Sequence, residues 1–516
     1  MFKRIVNNTF VHVFIVSLVA VLTFLPTLQM FFYLDEFGSL YDFTHKDYQY
    51  NLFTTNNLYL LYKLFGIDPT GYFAVGTAIF VLSVVVLYFF VSVLLKNKVL
   101  GLIAGLVYAT APVGTSTVVM IWTFVIEGGY PLTVALLVLL YLLLRYFREG
   151  KIYYYLLALV GFTIFLELEP RRVFLFLPII VLFDYLMHFK KIIIPDIKFF
   201  VRQAPFLACF VAYYKYTVTL SGILATGRIT FNDLGNYDWH TKVLVAESSL
   251  SSIQPPTTLA NILLGGPLVF LTEYANLVNV KYTYSWVAII LSIAAALVIL
   301  AFRTKRELGL LMLFSLGWIY INILGIYIFS SPGISDITHR TLSLSAPAYA
   351  LFITLSGFTL YKFLKKRKNN LSKKLNNIFV FALVFFLGVN FMSTRYKFDK
   401  FNNFRSIPAR AFFKDLKRFY PILPANSIVY IQTSGNPQVK HRLGRIYGGN
   451  NYGAGSTLAI FYPELTLKEI DLVRDYTDIE KFVGNDPSKI DHVFAFYYDE
   501  KGLSDITTDT RAGLRK

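Results

Sequence analysis

The chain has 516 residues, 55% of them hydrophobic and 16% charged, with a mean hydropathy of +0.54. Soluble globular chains are nearer ~25% charged, so a soluble enzyme is excluded and an α-helical polytopic membrane protein is expected. The formal net charge of +18 does not indicate nucleic-acid binding, because Lys and Arg sit in short clusters between apolar runs and read as topology signals.

Met1 to Arg4 precede an apolar run, Phe10–Phe32, that is longer than a signal peptide's core and has no small-residue cleavage site before Asp35. It reads as a retained anchor. The run delivers two adjacent carboxylates, Asp35 and Glu36, to its outer end. Asp42, His45 and Asp47 follow, interleaved with Phe37, Tyr41, Phe43, Tyr48 and Tyr50. Carboxylates near hydrocarbon cost free energy unless paired, wetted or used. The bland alternative is a solvated polar loop, residues 33–71, rimmed by interfacial aromatics.

Membrane helices need ~20 residues to cross the hydrocarbon, and about eleven apolar runs meet or approach that length. After Phe10–Phe32 they are Tyr72–Leu95, Val99–Trp122, Pro131–Phe147, Tyr153–Leu168, Val173–Met187, Phe199–Val218, Tyr284–Phe302, Leu308–Phe329, Ser345–Leu364 and Leu375–Met392. Starting with Lys3 and Arg4 inside, every second connection is basic: Lys96/Lys98, Arg145/Arg148/Lys151, Lys190/Lys191/Lys198, Arg303/Lys305/Arg306, and the cluster Lys362 to Lys374. That alternation puts the Asp35-Glu36 connection and the C-terminal segment on the outside.

Between the short fifth and sixth runs lies Glu167-Leu168-Glu169-Pro170-Arg171-Arg172, a charged turn expected to face a water-filled cavity or to pair with itself at the surface. The single cysteine, Cys209, falls in an apolar run, and no intramolecular disulfide can form. The long outer loop, 219–283, ends in Thr258–Val278. Gly265-Gly266-Pro267 breaks this stretch into two short helices expected to lie in the outer interface. The membrane part is residues 1–392. Residues 393–516 change to mixed polar composition and form a small α/β domain. Ile407–Phe419 has helical spacing, Ser427–Ile431 and His492–Tyr497 read as strands, and Lys468–Tyr476 reads as helix. The glycine-rich Arg445–Gly455 lacks P-loop spacing and reads as a turn.

Metal-hydrolase and serine-hydrolase motifs are missing. What remains is the outer acid pair, an outer His339-Arg340, and the Glu/Arg turn. In these places the chain resembles the GT-C class of multipass glycosyltransferases, which includes protein O-mannosyltransferases and lipid A aminoarabinose transferases. An Asp-Glu pair ends the first run (Asp35-Glu36). Ala111-Pro112 and Trp122 lead to Glu127. A charged turn joins the fifth and sixth runs. His339-Arg340-Thr341-Leu342-Ser343-Leu344-Ser345-Ala346-Pro347 is similar to the family's Arg-Tyr-Leu-Tyr-Leu-Pro pattern, with Thr341 and Ser343 in place of both tyrosines.

The resemblance implies a GT-C-like membrane domain with a small extracytoplasmic α/β domain. It also implies transfer of a sugar from a polyprenyl-phosphate donor to a protein, lipid or glycan acceptor on the outer face of the cytoplasmic membrane. Such transfer needs a base for the acceptor hydroxyl and cations for the departing phosphate. Asp35 is expected as the base, with Glu36 orienting the acceptor or tuning Asp35. Arg340 and His339, with Arg171 or Arg172, are expected on the phosphate. Glu169, Glu167, Asp42, His45 and Glu127 are expected as supporting groups. Direct displacement predicts inversion. The sequence requires no cofactor and leaves room for a divalent metal. Membrane lipids are expected partners, and nucleic acid is not. A lipid-linked polysaccharide polymerase or ligase would share the phosphate contacts without needing Asp35-Glu36. A transporter or flippase would show an internal repeat and charges at mid-membrane, and neither is evident. A membrane-anchored binding protein would not need so many runs.

Overall fold

A computed structural model describes residues 8–32, 35–45, 57–121, 124–125, 129–168, 173, 175–188, 197–224, 254–277, 284–329, 336–367, 372–447 and 454–515. The chain divides into two compact units. The first comprises Met1–Leu25, Gly76–Val118 and Thr123–Tyr396, and the second Pro26–Val75, Val119–Trp122 and Lys397–Lys516.

Among the described residues, seven helices are long and apolar enough to cross a membrane: Thr9–Gln29, Pro69–Leu95, Tyr130–Glu149, Ser285–Thr304, Arg306–Gly325, Arg340–Lys366 and Lys374–Phe419. Lys98–Thr110, Ile152–Leu166 and Phe176–His188 are apolar but shorter. Of the about eleven expected spans, seven are thus long and apolar enough among the described residues, and three more of the runs form shorter apolar helices. The third run is the clearest correction. Its helix stops at Thr110, well before Trp122. Ala111 turns extended (ψ 135) before Pro112, as a residue preceding proline is driven to do.

The first unit is a helical bundle. Thr9–Phe24 and Ala346–Arg367 both pack on Lys98–Thr110, and Arg306–Phe329 packs on Tyr284–Thr304, Ala346–Arg367 and Phe176–His188. The break foreseen at Gly265-Gly266-Pro267 is present between the Gln254–Leu264 and Gly266–Val269 helices. These helices are not simply apolar-face-down on a surface. Ala260, Asn261 and Ile262 are fully buried, and Gln254–Leu264 packs on Tyr284–Thr304 and Arg306–Phe329. The glycines permit close approach. A Cβ on Gly265 would lie 2.1 Å from the Tyr349 hydroxyl, and Gly266 N–H donates to Asn390 Oδ1 at 2.9 Å. By contrast, Ile378, Phe381, Val384 and Phe385 on the Ser372–Phe401 helix are more than half exposed, as lipid-facing residues would be.

The second unit holds a four-stranded sheet of order β2-β1-β3-β4, formed by β1 (Ser427–Thr433), β2 (Ile470–Val473), β3 (Val493–Tyr498) and β4 (Leu503–Asp505). β1 runs parallel to both β2 and β3, with Val429 opposite Phe494, and β4 is antiparallel to β3. A parallel sheet buries both faces. One face carries Ile428, Tyr430, Val493 and Ala495 against Ile479, Val483 and Ile490. The other packs Phe494 on Tyr420 and Phe496 on Phe419, with ring centroids 4.7 and 6.1 Å apart. The expected helix Ile407–Phe419 and the two expected strands are present. The expected helix Lys468–Tyr476 is a strand instead. Ile470 and Leu472 alternate inward, and partnership with β1 overrides local propensity. Of the glycine-rich stretch Arg445–Gly455 expected as a turn, Arg445–Tyr447 instead ends the Pro437–Tyr447 helix and Ala454-Gly455 begin the Ala454–Phe461 helix, while 448–453 lie outside the described residues.

Candidate functional site

The acid pair opens a helix, Asp35–His45, and not a polar loop. Glu36, in the first turn, complements the positive end of the helix dipole. Phe37, Leu40 and Tyr41, spaced as one face of a helix, are buried. Phe37 lies 6.2 Å from Phe413, and Phe413 stacks on Phe461 at 4.2 Å. The acid-bearing helix is thus built on the aromatic core of the second unit, packed against the Ala454–Phe461 helix.

Glu36 is 0% exposed, and its Oε1 accepts the main-chain N–H of Ile121. A carboxylate so deep is expensive unless hydrogen-bonded, and a charged acceptor makes the stronger kind of hydrogen bond. Asp42 is half-buried on the same helix. His45 is engaged at both ring nitrogens. Nε2–H donates to the Leu465 carbonyl at 2.8 Å, and the Thr44 hydroxyl lies 2.6 Å from Nδ1. Its ring stacks on Tyr41 at 4.2 Å, and the Tyr41 hydroxyl accepts the N–H of Leu467 at 3.2 Å. His45 is a strut between the acid-bearing helix and the turn before β2.

Sequence reasoning passed over the groups that hold the approach to this helix. Asn402 Nδ2 donates to the Pro26 carbonyl at 2.8 Å. Arg405, 2% exposed, donates to the carbonyls of Phe31 (3.2 Å) and Phe32. Arg410 donates to Leu28 (3.3 Å) and Met30 (2.7 Å). The available signal was positional. These arginines follow the last apolar run, on the side that charge alternation assigns to the outside, where basic residues are disfavoured.

In the first unit, His339 and Arg340 begin a short 3-10 helix, Arg340–Ser345, that runs into Ala346–Arg367. His339 caps it, with Nδ1 2.7 Å from the Thr341 hydroxyl. The turn after Ala111 docks along this segment. Gly114 N–H donates to the Ile337 carbonyl at 2.9 Å, Ser116 N–H to the Thr338 carbonyl at 2.7 Å, and the Thr117 hydroxyl to the Arg340 carbonyl at 2.9 Å. Gly114 has φ +72, and a Cβ there would meet Ser343 Cα and N at 2.4 Å. Asn322 donates to the Thr341 carbonyl at 3.2 Å and to the Ser345 hydroxyl at 2.7 Å. These five hydrogen bonds, one of them to the Arg340 carbonyl, hold the segment from Ile337 to Ser345 against two neighbouring segments.

The structure places Glu36, Asp42 and His45 on one helix of the second unit, and His339 and Arg340 in the first. Glu127, Glu169, Arg171 and Arg172 lie outside the described residues, as do the side chains of Asp35 and Glu167. A further buried charge was not foreseen. Asp184, 1% exposed, is held by Arg202 at 2.9 and 3.0 Å, Gln203 at 2.6 Å and His188 at 2.6 Å. It ties Phe176–His188 to Ile197–Leu224 and has every mark of a structural pair. Among the described residues, no three of the His, Cys, Asp and Glu side chains come together as metal ligands. Compared with family models and with curated proteins, the chain matches none.

Proposed function

We propose that this chain is a membrane glycosyltransferase of GT-C type, moving a sugar from a polyprenyl-phosphate donor to a protein, lipid or glycan acceptor outside the cytoplasmic membrane. Eleven crossings are proposed: the seven long helices, the three shorter ones and Ile197–Leu224. The observation that supports this most is Glu36, a carboxylate buried at the head of the helix that follows the first apolar helix. An ionisable group buried next to a membrane helix is a functional-site hypothesis by default.

Asp35 is the proposed base. The acceptor oxygen attacks the sugar's anomeric carbon, the carbon–oxygen bond to phosphate breaks with its electrons, and the acceptor proton passes to Asp35. One displacement inverts the anomeric centre. Glu36, tied to the Ile121 N–H, keeps the acid-bearing turn in register rather than taking the proton. Arg340, with His339 and with Arg171 or Arg172, meets the negative charge left on the lipid phosphate, which a guanidinium fork matches.

The test is a mass-spectrometric comparison of surface glycans in cells carrying wild type, Asp35→Asn or no protein. Asp35→Asn is expected to lower transfer by about 10²–10⁴-fold, the usual share of a general base. Unchanged glycans on removing the protein would end the transferase reading, and near wild-type transfer by Asp35→Asn would end the base assignment.

A further inference from the structure

We infer that an anionic phospholipid is held between the Ala346–Arg367 and Ser372–Phe401 helices, with its acyl chains in the cleft between them and its head group on the lysines at one end of the pair. The first observation is burial. Of the seven long apolar helices, the last is the least buried: 6% of its apolar window is buried, against 28–78% for the other six. The exposure extends to the side that faces its neighbour. Tyr361 of the Ala346–Arg367 helix meets that side near one end. Its hydroxyl donates to Asn376 Oδ1 at 2.8 Å, and its ring lies 5.4 Å from Phe379. Leu375, Leu383 and Phe386 share the Phe379 face at helical spacing, and all four are only half-buried. On the other helix Gly357, one turn from Tyr361 on the same side, is half-buried, and a Cβ there would meet nothing within 4 Å. Packed helices fill the space between them to the density of an organic crystal. Here the facing sides stay apolar and open. Leu375 to Phe386 rises ~16 Å along the helix, about half of the ~30 Å hydrocarbon and so the depth of one leaflet.

The second observation is charge. Seven cations lie between Lys362 and Lys374, and no Asp or Glu occurs from Arg340 to Phe398. Lys362, Lys365, Lys366 and Lys374 are exposed, and among the described residues none of the four is ion-paired. Two other basic connections carry their own acid. Arg145 and Lys151 pair with Glu149 at 2.7 and 3.7 Å, and Lys305 pairs with Glu307. Cations and cleft meet at one residue, since Lys365 Nζ donates to the Tyr361 hydroxyl at 3.3 Å. An apolar cleft one leaflet deep that ends in unmatched cations is complementary to an amphiphile with an anionic head, and clustered lysines next to a membrane helix draw such lipids. A soluble anion would satisfy the lysines and leave the cleft unfilled. A second copy of the chain would fill the cleft and bring seven more cations against the first seven, which repel. An anionic phospholipid meets both requirements.

The experiment is native mass spectrometry of the full-length protein in a neutral detergent, titrated with dioleoyl phosphatidylglycerol or with phosphatidylcholine of the same chains. Wild type is expected to retain one phosphatidylglycerol about tenfold better than phosphatidylcholine. Lys365→Gln/Lys366→Gln is expected to lower that retention by about tenfold. Lys96→Gln/Lys98→Gln, a pair of exposed lysines at another connection, is expected to leave it unchanged. Gly357→Leu keeps every charge and fills the open side of the cleft, and it is expected to lower phosphatidylglycerol retention as well. Equal retention of the two lipids overturns the inference, as does an equal loss in the Lys96/Lys98 variant, which would reduce the effect to general surface charge. Unchanged retention in Gly357→Leu shows that no chain enters the cleft and overturns it too. So does displacement of the lipid by an equal concentration of glycerol 3-phosphate, or a dimer in place of the lipid adduct. Should Lys365→Gln/Lys366→Gln fail to insert, because lysines also direct topology, Gly357→Leu decides by itself.

Discussion

His45 and Leu465 stand 420 positions apart in the chain, and the imidazole Nε2–H donates to the Leu465 carbonyl at 2.8 Å. With Tyr41 receiving the Leu467 N–H, the contact fastens the acid-bearing helix to the turn that leads into β2. A residue singled out for its chemistry is thus used for attachment. His45→Ala removes the bond to Leu465, the Thr44 contact and one ring stack; the Leu465 bond and the stack alone are together about 1–3 kcal/mol. The second unit is expected to become easier to cleave by limited proteolysis after Phe461, and restoration by raised salt or pH is not expected. A wild-type cleavage pattern would contradict this role.

Gly114 offers a sharper test. Gly114→Ala meets both a left-handed backbone angle and the Ser343 backbone at 2.4 Å. Left-handed strain costs about 1–2 kcal/mol and forced overpacking another ~1–3. Gly150→Ala is the matched control, with φ +68 but nothing within 4 Å, and pays strain alone. Thermal melts in detergent are expected to show a larger fall for Gly114→Ala, accompanied by loss of lipid-phosphate binding at the neighbouring Arg340 segment. Equal falls for the two glycines would deny the close docking of the turn.

Arg340 itself is expected to bind the phosphate of the donor. Arg340→Ala should weaken retention of a polyprenyl phosphate, measured by native mass spectrometry, and Arg340→Lys should recover only part of it because one ammonium cannot replace a bidentate fork. Full recovery by lysine would reduce the contact to point charge. No effect of alanine would remove Arg340 from the site.

Glu469 supplies a pH dependence. Its carboxylate accepts the main-chain N–H of Thr466 at 2.8 Å and the Thr466 hydroxyl at 2.7 Å, which holds its pKa below the usual 4.5. A depressed folded pKa contributes stability that is fully present above the unfolded value and is lost as pH falls through the folded one. Wild type is therefore expected to melt above Glu469→Gln at neutral pH, with the gap closing as the pH drops below 4.5. The brace sits beside Leu465 and Leu467, so protease resistance of the acid-bearing helix should fall over the same range. A gap that persists in strong acid would show that the charge is not what matters.

Much of the helical framework was legible in the sequence because it depends on local composition. The run Tyr284–Phe302 becomes the helix Tyr284–Thr304, and the alternating stretches at Ser427 and Val493 become adjacent strands. An apolar run of sufficient length has few other ways to satisfy its backbone in a membrane. Where pattern and partner disagreed, the partner prevailed. Ile470–Val473 is short and ambiguous in isolation, and only pairing with β1 makes it a strand.

By itself, then, the sequence determined a chain of many apolar helices, an acid pair after the first of them, a basic segment at His339-Arg340 and a small mixed domain at the end. Each follows from neighbours within a turn or two of one another. Only the tertiary structure decided that Asp35-Glu36 starts a helix, that Glu36 is buried on the Ile121 N–H, and that residues 26–75 belong with 397–516 in one unit. These rest on pairings such as Phe31 with Phe413 and Arg405 with the Phe32 carbonyl. The groups involved are common residue types, and what distinguishes them is the removal of water around them, which no local pattern records.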